Sequence, residues 1–145
     1  MFTQISTDKS QLDLYKIHDF LCNRSYWAKG IPMEVVERSI ANSLCVGIYN
    51  EEEQVGFARV ITDCATFAYI CDMIVFEEFR GQHISKQIME YIMRLPELQN
   101  LRRTMLFTLD AHGLYRQFGF ENSANPERMM QIASMNVYHK PPENE

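Results

Sequence analysis

Apolar positions along the chain fall into two rhythms, and the change from one to the other marks the elements. Met1 to Ser6 reads as a short first strand. Leu14, Ile17 and Leu21 recur at helical spacing, and Ser10 is placed to cap a helix running to about Cys22. A loop follows from Asn23 to Ile31. Pro32 suits the first turn of a second helix, where its missing N–H costs nothing, and Met33, Val36 and Ile40 form that helix's buried stripe. The rhythm then becomes that of strands. Leu44 to Tyr49, Gln54 to Thr62 and Phe67 to Phe76 are apolar runs parted by short polar turns, which predicts an antiparallel meander.

After Phe76 the helical beat returns. Ile84, Ile88, Ile92 and Leu95 mark one long helix ending at Pro96. Arg103 to Thr108 reads as a strand and Gly113 to Phe118 as a short helix stopped near Gly119, with Asp110 as its cap. Met129 to Ala133 reads as a last strand. The expected order is β-α-α-β-β-β-α-β-α-β, a mixed sheet with helices on its faces. Residues 1–139 form one domain on this reading, with 140–145, rich in Pro and Glu, as a flexible tail.

Composition narrows the class. The chain has 145 residues, 46% hydrophobic and 23% charged, ordinary values for a globular domain. No apolar run approaches the roughly 18 residues of a membrane span. Lys and Arg number 14 against 19 Asp and Glu, a net charge of −5. That balance disfavours nucleic acid as a partner, because phosphate contacts need clustered cations. Cys22, Cys45, Cys64 and Cys71 sit in apolar segments with no C-x-x-C pair, as small buried hydrophobes of a reducing cytoplasm do. The histidines lack metal-ligand spacing, so no metal is expected.

The chemistry concentrates at one strand-turn-helix junction, Met73-Ile74-Val75 leading through Arg80-Gly81-Gln82-His83-Ile84-Ser85-Lys86. The first amides of a helix lack internal partners and the dipole is positive there, so Arg80, Lys86 and the turn can cradle a diphosphate. Read alone, one Gly and two basic residues are a weak motif, and a plain strand-to-helix turn with Arg80 in solvent is the commoner case. A second stretch, Ala111 followed by Leu114-Tyr115-x-x-Phe118-Gly119-Phe120, lies about 30 residues on.

With both stretches in this order, the chain resembles the GNAT superfamily of N-acetyltransferases from Met1 to about Ala133. The resemblance implies a mostly antiparallel α/β sheet with a splay between its fourth and fifth strands. It implies acetyl transfer from acetyl-CoA to a primary amine of a small molecule or peptide. The pyrophosphate would rest on the turn from Gln82 to Lys86 and the acetyl carbonyl on the amides of Met73, Ile74 and Val75. Pantetheine would lie where this strand parts from Met105 to Leu109. The Tyr115 phenol would face the sulfur, as a general acid for a departing thiolate. Thr108 stands where many members carry Asn beside the cofactor's amide arm. Family bases lie at positions matching Tyr69 and Cys71. Asp72 is the nearest carboxylate, but strand alternation turns it to the opposite face unless a bulge re-aims it.

His112 shares a helix face with Tyr115. Tyr26 and Trp27, in the loop that borders the family's acceptor pocket, can hold a cationic amine or simply pack the loop. Arg59 and Asp63, on one strand face, either line that pocket or pair with each other. Two departures from the family turn, His83 and Ser85 at its glycine positions, keep a second reading open, a catalytically degenerate acyl-CoA-binding or interaction module. Met129 and Met130 leave room for a homodimer.

Overall fold

The computed structural model describes residues 4–138. Its sheet has five strands in the order β1 (Gln4–Ser6), β2 (Leu44–Asn50), β3 (Glu53–Thr62), β4 (Phe67–Val75), β5 (Arg103–Leu106). The first four are antiparallel neighbours, and β5 alone runs parallel to its neighbour, β4. Residues 1–3 of the expected first strand and the tail from 140 lie outside the described residues.

Helices cover both faces. α1 (Leu14–Asn23) and α2 (Met33–Ala41) bury Ile17, Phe20, Leu21, Val36 and Ile40 against Cys45, Phe57 and Ile74 on one face. α3 (Ile84–Arg94) and the short α4 (His112–Arg116) cover the other, where Ile84, Ile88, Met89, Ile92 and Tyr115 meet Val46, Val55, Val60 and Ile70. Burying each such side chain contributes about 1.5–3 kcal/mol, so these two stripes carry most of the drive to fold.

α3 sits unusually close to the sheet, and Gly56 allows it. A Cβ on Gly56 would meet Ile48 Cγ2 at 2.8 Å, Ile84 Cγ2 at 3.0 Å and the Ile74 carbonyl oxygen at 3.1 Å. Gly56→Ala is therefore expected to lose about 1–3 kcal/mol by overpacking. Thermal unfolding would register this as a Tm drop of roughly 3–10 °C.

Three expected boundaries shift, each for a local reason. Ser10 does not cap α1. It belongs to a 3₁₀ turn, Lys9–Gln11, in which the Asp8 carboxylate accepts from the Ser10 amide (3.0 Å) and hydroxyl (2.6 Å). The chain extends again at Leu12, and Asp13 caps α1 by accepting from the Lys16 amide at 3.0 Å. Asp110 does not cap α4 either: Ala111 holds the N-cap position with no side-chain cap, and Thr108 Oγ1 accepts from the Ala111 amide at 3.0 Å just before the helix. Met129 to Ala133 forms no strand. It lies beside no paired partner, with Met130 95% and Ile132 106% exposed.

A candidate acyl-transfer site where two strands part

The two parallel strands at one edge of the sheet separate. β5 pairs with β4 only from Phe67↔Arg103 to Ile70↔Leu106, whereas β4 continues to Val75. The parting begins where β4 bulges. Phe57 faces Ile74 and Arg59 faces Cys71, so Asp72 and Met73 together stand opposite the single Ala58. Asp72 takes φ +50°, the left-handed region in which Asp is better tolerated than most side chains. The bulge reverses the strand's alternation. Ile70 packs on the α3 face, but Ile74, four residues on, packs on the α1/α2 face. Beyond the bulge β4 keeps only β3 as a neighbour, so alternate amides between Cys71 and Val75 point into the gap.

The bulge supplies what alternation alone would not, a carboxylate on the α1/α2 face. Asp72 Oδ1 accepts from the Trp27 indole N–H at 2.8 Å, and its Oδ2 accepts from Arg59 Nε at 2.8 Å. Arg59 Nη1 donates to Ser43 Oγ at 3.0 Å. The Asp72 and Arg59 side chains are only 10% and 16% exposed. Burial works most strongly against the Arg59 charge, but Asp72 together with Cys71 and Cys45 more than offsets it, and the guanidinium is held above its ordinary pKa. Arg59 and Asp63 do not pair. Asp63 instead fastens the β3–β4 turn by accepting from Ala65, Thr66 and Phe67 amides. Ser43 is a member of this network that sequence reasoning missed, and nothing in its local pattern marks a bond to a residue 16 positions away.

Tyr26 and Trp27 lie in the α1–α2 loop with their rings edge to face at 5.0 Å. Tyr69 projects beside Cys71 and Asp72, and its ring meets Phe107 at 5.7 Å. Burial, aided by Cys71 and Asp72, raises the Tyr69 phenol above its ordinary pKa, so it is a hydrogen-bond donor at neutral pH.

At the end of β4 the chain makes a 3₁₀ turn, Glu77–Phe79, and enters α3 through Arg80, Gly81, Gln82 and His83, all exposed. Gly81 (φ +82°) and His83 (φ +59°) are both left-handed. His83 stands at the α3 N-cap and makes no side-chain cap, so the first amides of α3 have no side chain over them from that position. Ile84 is buried beneath and anchors the turn. Ser85 is half-buried and Lys86 exposed. A left-handed residue with a Cβ costs about 1–2 kcal/mol, part of which glycine returns as unfolded-chain entropy. His83→Gly is thus expected to add about 0.5–1 kcal/mol of stability, read by urea unfolding.

Tyr115 stands on α4. It is 8% exposed, its ring packs edge to face on Phe120 at 6.0 Å, and no group among the described residues hydrogen-bonds its hydroxyl. Burial first, and then the Tyr26 phenol, raise its pKa. A cleft of about 730 Å³ runs along the outer edge of β5 between Arg103–Thr108, α4 and residues 120–129, with His112 and Tyr115 in its wall. No β4 residue lines it, so this cleft is separate from the gap between β4 and β5.

Comparison with known proteins bears on this arrangement. The acetyltransferase (GNAT) domain family matches residues 41–122, more than half the chain. The chain belongs to the GNAT acetyltransferase family. A structure from Xanthomonas campestris pv. campestris, described as a GNAT-family acetyltransferase, is 45% identical. It superimposes with a TM-score of 0.93 over 94% of this chain and 96% of that one. An acetyltransferase of Gibberella zeae is 28% identical over 131 residues, 77% of this chain and 74% of its own. A GNAT acetyltransferase of Elizabethkingia anophelis, solved with acetyl-CoA bound, shares the fold with a TM-score of 0.62 at 14% identity. That match covers 83% of this chain and 76% of that one.

Two further features qualify this GNAT site. Burial pushes the Cys71 thiol up to about 12, outweighing nearby Arg59, so the side chain is a protonated thiol at neutral pH and a poor nucleophile. Among the described residues no group of three His, Cys, Asp or Glu side chains could hold a metal ion, and no helix is long and apolar enough to cross a membrane.

Proposed function

We propose that this GNAT protein transfers an acetyl group from acetyl-CoA to a primary amine of a small molecule or peptide, by direct attack of the amine on the thioester. The observation that carries the reading is the parting of β4 from β5 after Ile70↔Leu106, which frees the end of β4 from its parallel neighbour.

The donor set fits the co-substrate. The amides from Gln82 to Lys86, with Arg80 and Lys86, suit a diphosphate at a helix start that His83 leaves uncapped. Gly81 has open space around it, so backbone and ligand can approach closely. Bound there, acetyl-CoA supplies an activated acetyl thioester. The amides of Met73, Ile74 and Val75 that point into the gap can donate to the thioester oxygen as charge develops on it. Thr108, already accepting from Ala111, retains a hydroxyl proton for the cofactor's amide arm. Tyr115 donates to the sulfur. A free thiol ionises near 8.5 and a phenol near 10, so the proton is present at pH 7 whenever it is needed.

The acceptor side falls to the face that carries Tyr26, Trp27, Tyr69 and Asp72. Asp72 is a positioning residue on this reading. Its two oxygens tie the acceptor loop, through Trp27, to the bulge that aims the β4 amides. Tyr69, a donor at neutral pH, orders the water through which the ammonium loses its proton. The exposed Tyr26 ring can pack on an amine's alkyl stem or face its cation. His112 lies apart from that face, in the wall of the cleft along β5 with Tyr115. The four cysteines are free, but of the expected buried set only Cys45 is buried; Cys64 is exposed, at the β3–β4 turn.

One observation favours a second reading, an acyl-CoA-binding module without turnover. His83 holds a left-handed conformation with a Cβ where glycine would suit the turn better. Calorimetry with CoA, followed by thiol release from acetyl-CoA against a panel of amines, separates the two. Association with amine-dependent release supports transfer. Association without release supports the binding module, and no association at about millimolar CoA overturns both.

A further inference from the structure

Phe107 directly follows Leu106, the last residue of β5, and so stands where the gap from β4 opens. It is 69% exposed, and its ring meets Tyr69 of β4 at 5.7 Å. A second pair of rings comes from the α1–α2 loop. Tyr26 and Trp27 are 5.0 Å apart, and they are 68% and 37% exposed. Both pairs are fastened to one short piece of β4. Tyr69 belongs to it, and Trp27 is held to it by the bond from its indole to Asp72. Three residues of strand, about 10 Å, separate the two anchor points, which leaves room for one more ring between the pairs. Four rings gathered from separate elements differ from the singly scattered apolar side chains of an ordinary surface.

The floor between the pairs offers a ligand no spare charge. Cys71, which alternation places on the same side of β4 as Tyr69, is a protonated thiol at neutral pH. Asp72 already accepts on both oxygens, from Trp27 and from Arg59. Arg59 is engaged in turn by Asp72 and Ser43. Drawing either charge onto a ligand would leave the other one buried and unpaired. Lys29, exposed in the same loop, opposes a second positive charge on the acceptor. Recognition of the acceptor's body therefore falls to the rings, and rings favour another ring, by burial and by edge-to-face packing.

We propose that the acceptor is an arylalkylamine, its ring seated between the pairs Tyr26–Trp27 and Tyr69–Phe107, with Phe107 as a specificity-determining residue. The inference rests on the transfer reading above and adds the class of amine. The amides assigned to the thioester oxygen begin at Met73, one residue beyond Asp72, so a short alkyl chain reaches from the ring to the carbonyl. The neutral nitrogen bonds the thioester carbon and the C–S bond breaks with its electron pair on sulfur. The proton that the amine gives up balances the one that the thiolate takes.

Thiol release from acetyl-CoA with phenethylamine, ethylamine, spermidine and phosphoethanolamine tests this. The full chain is expected to favour phenethylamine over each of the others by about tenfold or more in kcat/KM, since a single methylene in an apolar site is already worth about that much. Phe107→Ala should lower kcat/KM for phenethylamine about tenfold, through KM, and leave ethylamine within about twofold. Phe107→Tyr should keep the preference, because it keeps the ring. A side chain this exposed can be truncated with an unchanged circular dichroism spectrum, and if Phe107→Ala fails to fold, Phe107→Leu carries the same expectation. Turnover that favours spermidine or phosphoethanolamine overturns the proposal and leaves acetyl transfer standing. So does a Phe107→Ala loss shared equally by phenethylamine and ethylamine, or release with other amines but none with phenethylamine. Failure of every amine overturns the transfer reading beneath it, and this inference with it.

Discussion

Tyr115→Phe is expected to lower kcat by about 10²–10⁴ while leaving the Kd for CoA and the Tm nearly unchanged. The three expectations have separate grounds. The phenol bonds to no group among the described residues, so removing it forfeits no folded-state hydrogen bond, and the ring still packs on Phe120. The diphosphate contacts proposed for the α3 turn lie on another element, so ground-state binding does not depend on the hydroxyl. Only the step in which sulfur gains charge does. A merely structural tyrosine would show the reverse, with little change in rate and a change in stability.

The pH profile adds a second check. The Tyr115 pKa is raised, by burial first and then by Tyr26, so the protonated form persists beyond the ordinary phenol value near 10. The wild-type rate is expected to climb with pH as the amine substrate loses its proton. It should not fall before about pH 10. The same sign holds for Cys71. Its folded-state value is raised to about 12 from 9.0, so no thiolate forms at working pH, and iodoacetamide should leave activity intact at pH 8. A descending limb near pH 9 in the wild type would show that some other acid donates the proton.

How much of this was legible in the chain depends on whether the cause is local. The spacing of Ile84, Ile88 and Ile92 gives α3 because a helix needs only its own residues to repeat. The three meander strands are legible for a similar reason, as short turns leave each strand its neighbour in sequence as its neighbour in space. The strand-turn-helix junction and Tyr115 stand in the sequence as recognisable stretches. The parting of the strands is a different matter. It depends on Asp72 adopting φ +50°, and no glycine marks that position. Once the bulge forms, Asp72 changes face, Arg59 finds it in preference to Asp63, and β5 ends at Leu106 instead of Thr108. One unmarked backbone angle therefore carries several consequences that periodicity could not foresee. Helix starts fail for the opposite reason, an excess of signals. Asp8, Ser10 and Asp13 all suit an N-cap, and the bond between the first two removes both. Met129 to Ala133 has the pattern of a strand without being one, since a strand exists only with a partner and none lies beside it among the described residues.

Asp72→Gly is expected to cost about 3 kcal/mol of stability and most of the activity, and the choice of glycine matters. Glycine accepts the left-handed conformation freely, so the substitution removes the carboxylate without adding backbone strain. What remains is an Arg59 guanidinium, 16% exposed, with its carboxylate gone and only Ser43 as a side-chain partner. Removing one member of a buried ion pair costs about 3–5 kcal/mol, and the residual solvent access here puts the expectation at the low end. Chemical denaturation measures it directly. The loss should be smaller when the stranded charge is removed as well. Arg59→Met with Asp72→Gly is expected to be more stable than Asp72→Gly alone, with a coupling of about 1–3 kcal/mol in the double-mutant cycle.

Stability and function should nevertheless separate in that double variant. Trp27 still lacks its acceptor, so the α1–α2 loop is released from β4 even where the fold has recovered. KM for the amine is expected to rise and kcat to stay low, while CoA binding at the α3 turn is retained. Asp72→Asn supplies the control, since its amide oxygen can still accept from one of the two donors and its backbone tolerates φ +50°. It should fall between wild type and Asp72→Gly in both stability and rate. Full activity in Asp72→Gly would mean that the bulge aims the β4 amides unaided and that the tie between Trp27 and Asp72 serves folding alone.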